Sequence, residues 1–163
     1  MTFWTEASLE PKRNFRFKLL DGDQATWWWA KSVDKPSFDI SNNEYQLINH
    51  KFKYPGIATW KPISLIVADV GDVINLLMDE LGELGYIDPN SKVPMEGLAK
   101  DNKGFIEGLS IQQLNADGQP LETWTVKGAF MTSLAFSRLD YGSDDITEIT
   151  IEVAYDYATF DLN

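Results

Sequence analysis

From Glu148 to Tyr157 every second residue is large and apolar. Ile149, Ile151, Val153, Tyr155 and Tyr157 fall on one side of an extended chain, and Glu148, Thr150, Glu152, Ala154 and Asp156 on the other. A helix cannot keep that period on one face, so Ile146–Tyr157 is the strongest expected strand, buried on one side and open on the other. The same alternation places a strand at Asn14–Leu20, with Phe15, Phe17 and Leu19 opposite Arg16 and Lys18. The Asp21-Gly22-Asp23 turn leads into a second strand, Gln24–Val33. Further strands are expected at Ile57–Ala68, with Pro62 making an edge or bulge in its middle, at Gly104–Leu114 and at Leu121–Phe130. Asn115-Ala116-Asp117-Gly118 joins the last two as a hairpin turn, and Trp124 and Val126 share one face.

A single segment keeps helical spacing. Val70, Val73, Ile74, Leu77, Leu81 and Leu84 form one stripe, predicting a helix over about 70–84. Asp69 or Asp72 is expected to cap its start, and Gly82 and Gly85 to stop it. Residues 86–103 read as a loop. One helix among about six strands leaves too few crossovers for a parallel sheet. The expected fold is mainly β: two packed antiparallel sheets, a sandwich or barrel, with one flanking helix, and residues 1–163 as a single domain.

Two segments fit that frame poorly. Residues 34–56 are polar and irregular, bounded by Pro36, Pro55 and Gly56, and read as an extended arm anchored by Tyr45, Leu47, Phe52 and Tyr54. Trp27, Trp28 and Trp29 are consecutive, so Trp28 points away from the other two and both faces of their strand should be covered. Core, subunit packing or sugar stacking would each use them.

Charge narrows the function. Residues 1–61 carry nine bases and seven acids, a net of +2, whereas residues 62–163 carry five bases and eighteen acids, a net of −13, so the whole net charge of −11 comes from the later part. Such a chain does not grip nucleic acid through its phosphates. It holds no cysteine and one histidine, His50, which removes disulfides, thiol nucleophiles, Cys-ligated zinc and any two-His metal site within the chain. A Ser-His-Asp triad would need His50, which sits in the polar arm. No phosphate-binding glycine motif occurs, and the Asp117-Gly118 turn fails as a calcium loop because Trp124 takes its twelfth position. Neither catalysis nor a cofactor is expected. No apolar run reaches membrane-spanning or signal-peptide length, so synthesis in a cytoplasm is the expectation.

Between residues 33 and 69 the runs VDKPSFDI, LINHKFKYPG and TWKPISLIVAD resemble the tail tube (major tail tube) proteins of contractile-tailed bacteriophages. VKGAFMTSL and LDYGSDDITEITIEVAYDY, later in the chain, are similar to that family's closing strands. The resemblance implies a virion protein that forms homohexameric rings. One sheet from each subunit joins a continuous barrel, and rings stack head to tail into a tube inside a contractile sheath. It implies as partners the sheath protein, a baseplate or tube initiator, a terminator, and double-stranded DNA passing through without specific binding. Related tubes serve type VI secretion and phage-derived injection systems. On this reading Phe38, Ile40, Tyr45, Leu47, His50, Phe52 and Tyr54 form an inter-subunit arm, and Trp27, Trp28 and Trp29 pack between subunits. Glu148, Glu152 and Asp156 face the lumen, where acid repels phosphate. A soluble carbohydrate-binding β-sandwich is the alternative from another class.

Overall fold

The computed structural model of the protein describes residues 11–22, 26–86 and 108–162. These residues form β1 (Phe17–Leu20), β2 (Ala30–Val33), β3 (Phe38–Leu47), β4 (His50–Trp60), β5 (Ile63–Ala68), α1 (Val73–Glu83), β6 (Ser110–Leu114), β7 (Pro120–Lys127), β8 (Phe130–Phe136), β9 (Glu148–Ala154) and β10 (Tyr157–Leu162). One sheet has the order β1-β6-β7-β10 and another β2-β5-β9-β8, while β3 and β4, among the described residues, pair only with each other. Every pairing is antiparallel.

The register of β5 on β9 explains why these sequences meet. Ile63 lies opposite Val153, Leu65 opposite Ile151 and Val67 opposite Ile149, so six branched side chains share one face, all fully buried. Leu19, Ile111 and Val126 of the other sheet join them in one core, closed by Val73, Leu77 and Leu84 from the helical segment. Burying each such side chain contributes about 1.5–3 kcal/mol, which outweighs local preference along these short strands. The two-sheet architecture with a flanking helix is therefore the observed one, and the alternation at 149–155 marks its core face as expected.

The helix occupies the expected stripe but its ends differ. Asp72 stands at the N-cap without a side-chain cap bond. Gly82 lies inside the helix, and Gly85 ends it with φ +100°. The Gly85 amide donates to the Gly82 carbonyl and the Tyr86 amide to the Leu81 carbonyl, the paired bonds of a Schellman ending. At eleven residues it is too short to cross a membrane.

Other boundaries are corrected. β1 begins at Phe17, leaving Phe15 74% exposed. Trp28 and Trp29 occupy a turn before β2, not a strand interior, and residues 23–25 lie outside the described residues. Residues 34–56 are not irregular: most of them belong to a long hairpin that runs on to Trp60. Pro62 separates β4 from β5 and does not bulge one strand, because a residue with no N–H ends the ladder there. Phe130–Phe136 is a further strand. The alternation through Tyr157 hides a crossover: β9 stops at Ala154, and Tyr157, half exposed, starts β10 in the opposite sheet. The expected loop from residue 87 and the start of the Gly104 strand, Phe105 included, lie outside the described residues.

Candidate assembly surfaces

The β3–β4 hairpin pairs nine residue couples from Phe38↔Trp60 to Leu47↔His50. Apart from half-buried Gly56 and Trp60 at its foot, its strand residues are exposed. Directly paired residues point to one face of a ribbon and successive ones alternate. Tyr45, Leu47, His50, Phe52 and Tyr54 therefore share one face of the outer half, while Glu44, Gln46, Lys51 and Lys53 share the other. Two contacts fit this division: the His50 and Phe52 rings meet edge to face at 4.6 Å, and Lys51 Nζ lies 3.3 Å from Glu44 Oε2.

A bulge divides tip from root. Ile40 pairs with Ala58 but Asn42 with Pro55, so Gly56 and Ile57 together face Ser41. The Ile57 amide donates to Ser41 Oγ at 2.9 Å. A Cβ on Gly56 would stand 2.1 Å from Ser41 Oγ, so any larger residue at this close crossing must displace the Ser41 side chain that holds the Ile57 amide. Phe38 and Ile40 stand on the root side of the bulge, on the β3 face opposite Tyr45 and Leu47. The expected arm residues thus fall into two groups, five on the open face of the tip and two at the root.

The root is fastened to the body. Phe38 packs on Trp60 with centroids 4.9 Å apart, and Trp60 packs on Tyr155. The Lys61 amide donates to the Ser37 carbonyl at 2.8 Å, and Lys61 Nζ reaches Asp39 at 3.0 Å. Just before the hairpin, Lys35 bonds Glu122 and Gln113, and Lys12 bonds the other Glu122 oxygen. Glu122 is 4% exposed. Burial pushes its carboxyl upward, but the hydrogen bonds and charge of Lys12 and Lys35 outweigh that and hold it below the ordinary value. Sequence reading missed Glu122, although an acid on the Trp124/Val126 side of β7 was its signal.

The tip carries a second feature missed from sequence. Ile48, in the two-residue turn, has φ +53° and is 83% exposed. A β-branched residue there is strained, and strain of this kind concentrates at working surfaces.

At the far end of the body, Trp28, Trp29, Ala30, Lys31, Ala68 and residues 137–141 and 143–148 line a groove of about 1210 Å³. Trp27 is buried, Trp29 stacks on it at 5.9 Å, and Trp28 is 72% exposed, edge-on to Trp29. Period 2 therefore survives in the Trp run, but the face carrying Trp28 is open in the subunit, where both faces were expected to be covered. Leu139, Tyr141 and Ile146 are exposed beside Asp140, Asp144 and Asp145.

The three expected lumen acids are not equivalent. Glu148 and Glu152 stand on the outward face of β9 with Thr150, and Glu148 is ion-paired with Lys31. Asp156 lies past the end of β9, in the crossover, where its amide donates to the Lys127 carbonyl at 3.0 Å.

No family model matches the chain, and no curated protein matches it. Solved structures do. A chain in the sheath-tube complex of an extracellular contractile injection system, PVC, in its extended state has a TM-score of 0.70 and 23% identity, covering 100% of this chain and 99% of that one. A chain in the anti-feeding prophage cap (AFP tube terminating cap) has a TM-score of 0.68 and 21% identity over 94% of this chain and 93% of that one. Hcp1 from Flavobacterium johnsoniae has a TM-score of 0.51 and 12% identity over 91% of this chain and 97% of that one. This protein has the fold that those chains share.

Proposed function

We propose that this protein is a structural subunit that forms hexameric rings, stacked head to tail into the inner tube of a contractile tail, with the sheath, baseplate or initiator, and terminator as partners. The observation that carries this is the hairpin: an exposed two-stranded ribbon with an apolar face that none of the described residues covers, rigidly rooted on a fold shared with chains of sheath-tube and tube-cap assemblies. An uncovered ribbon face of this kind is a surface for another subunit. In a phage tail the channel conducts DNA into the host. The outward face of β9 would then line the lumen, with Glu148 and Glu152 on the wall and Asp156 at its edge. Double-stranded DNA carries one charge per about 1.7 Å of axis, so an acidic wall repels it and keeps it sliding.

The second reading is the tube of a contractile injection or secretion machine that carries protein cargo. It is favoured by the full-length likeness to a chain of the PVC complex, against a TM-score of 0.52 and 11% identity for a chain of a gene transfer agent virion. A carbohydrate-binding module gains no support from the Trp run, since one indole of the three is largely exposed and no flat platform of rings results.

Negative-stain microscopy of the purified protein tests the assembly: rings or tubes are expected, and a monomer under all conditions would overturn it. Nuclease-protected DNA in the native particles would select the phage reading, and its absence the protein-cargo reading.

A further inference from the structure

The core-facing side of the β1-β6-β7-β10 sheet turns polar at one end. Gln113 pairs directly with Glu122, the next couple on that face after Ile111 and Trp124. Both polar side chains are buried. Buried groups of this kind need partners, and two separate stretches of chain supply them. Lys12, before β1, bonds one oxygen of Glu122. Lys35, in the link from β2 to the hairpin, bonds the other oxygen and also Gln113 Oε1. Gln113 Nε2 in turn donates to the Arg13 carbonyl at 3.2 Å.

The Gln113 amide therefore stands in series between the hairpin leader and the N-terminal segment. Its orientation serves both sides at once. Turned over, it would set its NH2 against the Lys35 ammonium and its oxygen against the Arg13 carbonyl, losing both bonds together. A cation donating to Oε1 also polarises the amide and strengthens the bond from Nε2. Glu122 acts in the opposite sense, because Lys12 and Lys35 are like charges on one carboxylate. Their side chains are 41% and 46% exposed, so water screens that repulsion, whereas the amide is buried. The cooperative link through Gln113 is the stronger of the two. Each side has its own reporter. The Arg13 carbonyl also accepts from the Arg16 amide at 3.2 Å, closing the turn that leads into β1. At the hairpin root the Asp34 amide donates to the Ser64 carbonyl and the Lys61 amide to the Ser37 carbonyl.

We infer that Gln113 is a positioning residue that couples docking of the N-terminal segment, residues 12–16, to docking of the hairpin leader, residues 34–37. Loosening either stretch loosens the other, because a coupling free energy acts in both directions. The orientation of the hairpin on the body thus depends on a segment remote from it in sequence, and a partner that draws that segment away also frees the hairpin root. The coupling belongs to the single subunit and does not rest on the tube proposal.

Amide hydrogen exchange followed residue by residue tests this. Lys35→Met should raise exchange at Arg16 at least about fivefold, and Lys12→Met should raise it comparably at Asp34 and Lys61. Amides of β5 and β9 should keep their protection. In a Gln113→Met background, adding Lys35→Met should change exchange at Arg16 by less than about twofold, because the link is already cut. An undiminished effect of Lys35→Met in that background would overturn the inference by routing the coupling through Glu122. Unchanged exchange at Arg16 in Lys35→Met alone would overturn it too, and so would an equal rise in β5 and β9, which marks a loss of stability of the whole subunit. The lysine variants replace half-exposed side chains, so they keep the test decisive even where Gln113→Met does not fold. In that case a rise at Arg16 in Lys35→Met, with none at Asp34 and Lys61 in Lys12→Met, would overturn the inference, and rises at both would support it.

Discussion

The indole of Trp60, the last residue of β4, lies 5.8 Å from the ring of Tyr155, the residue that follows β9. This contact couples a ribbon that has no other sheet partner among the described residues to the core strand of the body. Because the tip is exposed on both faces, its orientation depends on contacts at the root. Trp60→Ala should cost about 1–2 kcal/mol, the aromatic pairing plus part of a half-buried side chain. Hydrogen exchange should rise across residues 38–60 and stay unchanged in β5 and β9. Equal acceleration throughout would mean that the hairpin and body unfold as one unit.

Glu122 ties Lys12 and Lys35 to β7. Its folded pKa is lowered by those lysines against the opposing effect of burial. A carboxylate of this kind contributes stability that is fully present above its unfolded pKa of about 4.3 and is lost as pH falls through the lower folded value. Urea midpoints of the wild type should therefore drop below about pH 4.3. Glu122→Gln should be less stable by about 2 kcal/mol at neutral pH, and its deficit should shrink as the pH falls through that window. A deficit that persists unchanged in acid would show that shape, not charge, holds the two lysine segments.

Ile151 and Glu152 are neighbours on β9 with opposite fates, one fully buried and one exposed. Ile151→Ala should cost about 3–4 kcal/mol, since it opens a cavity against Leu65. Glu152→Lys should change monomer stability by less than about 0.5 kcal/mol. Thermal or urea unfolding of both variants checks which face is the core. Comparable losses from the two would mean that the outward face of β9 is covered within the subunit.

The body was legible because its strands alternate against one apolar interior: Ile149, Ile151 and Val153 announce their burial by period alone. Where a ribbon has no interior that signal disappears. Asn42, Glu44, Gln46, Lys51 and Lys53 interleave with Tyr45, Phe52 and Tyr54, so residues 34–56 read as polar and irregular although the cross-strand pairing is continuous save for one bulge. The crossover after β9 was hidden for another reason. Tyr155-Asp156 has neither Gly nor Pro, and the alternation carries on through Tyr157 while the chain changes sheets. The residues singled out for the arm do lie on the hairpin. Their division into an open face at the tip and a fastened root depends on the bulge at Gly56, which shifts the register by one and which composition alone does not locate.

Ile48 tests whether the tip is shaped for folding or for contact. Its φ of +53° costs a β-branched residue about 1–2 kcal/mol relative to a residue without a Cβ. Ile48→Gly relieves that strain but makes the unfolded chain more flexible, which takes back about 0.5–1 kcal/mol. Monomer stability should consequently stay the same or rise by up to about 1 kcal/mol. On the proposed tube, assembly should weaken, because the most exposed apolar side chain of the hairpin is lost from the surface proposed to meet another subunit. Unfolding midpoints read the first quantity and sedimentation of assembled protein the second. A variant that is more stable and assembles less would show that the chain retains a strained turn for the sake of contact. A variant that loses stability and assembles normally would assign Ile48 to the hairpin's own folding.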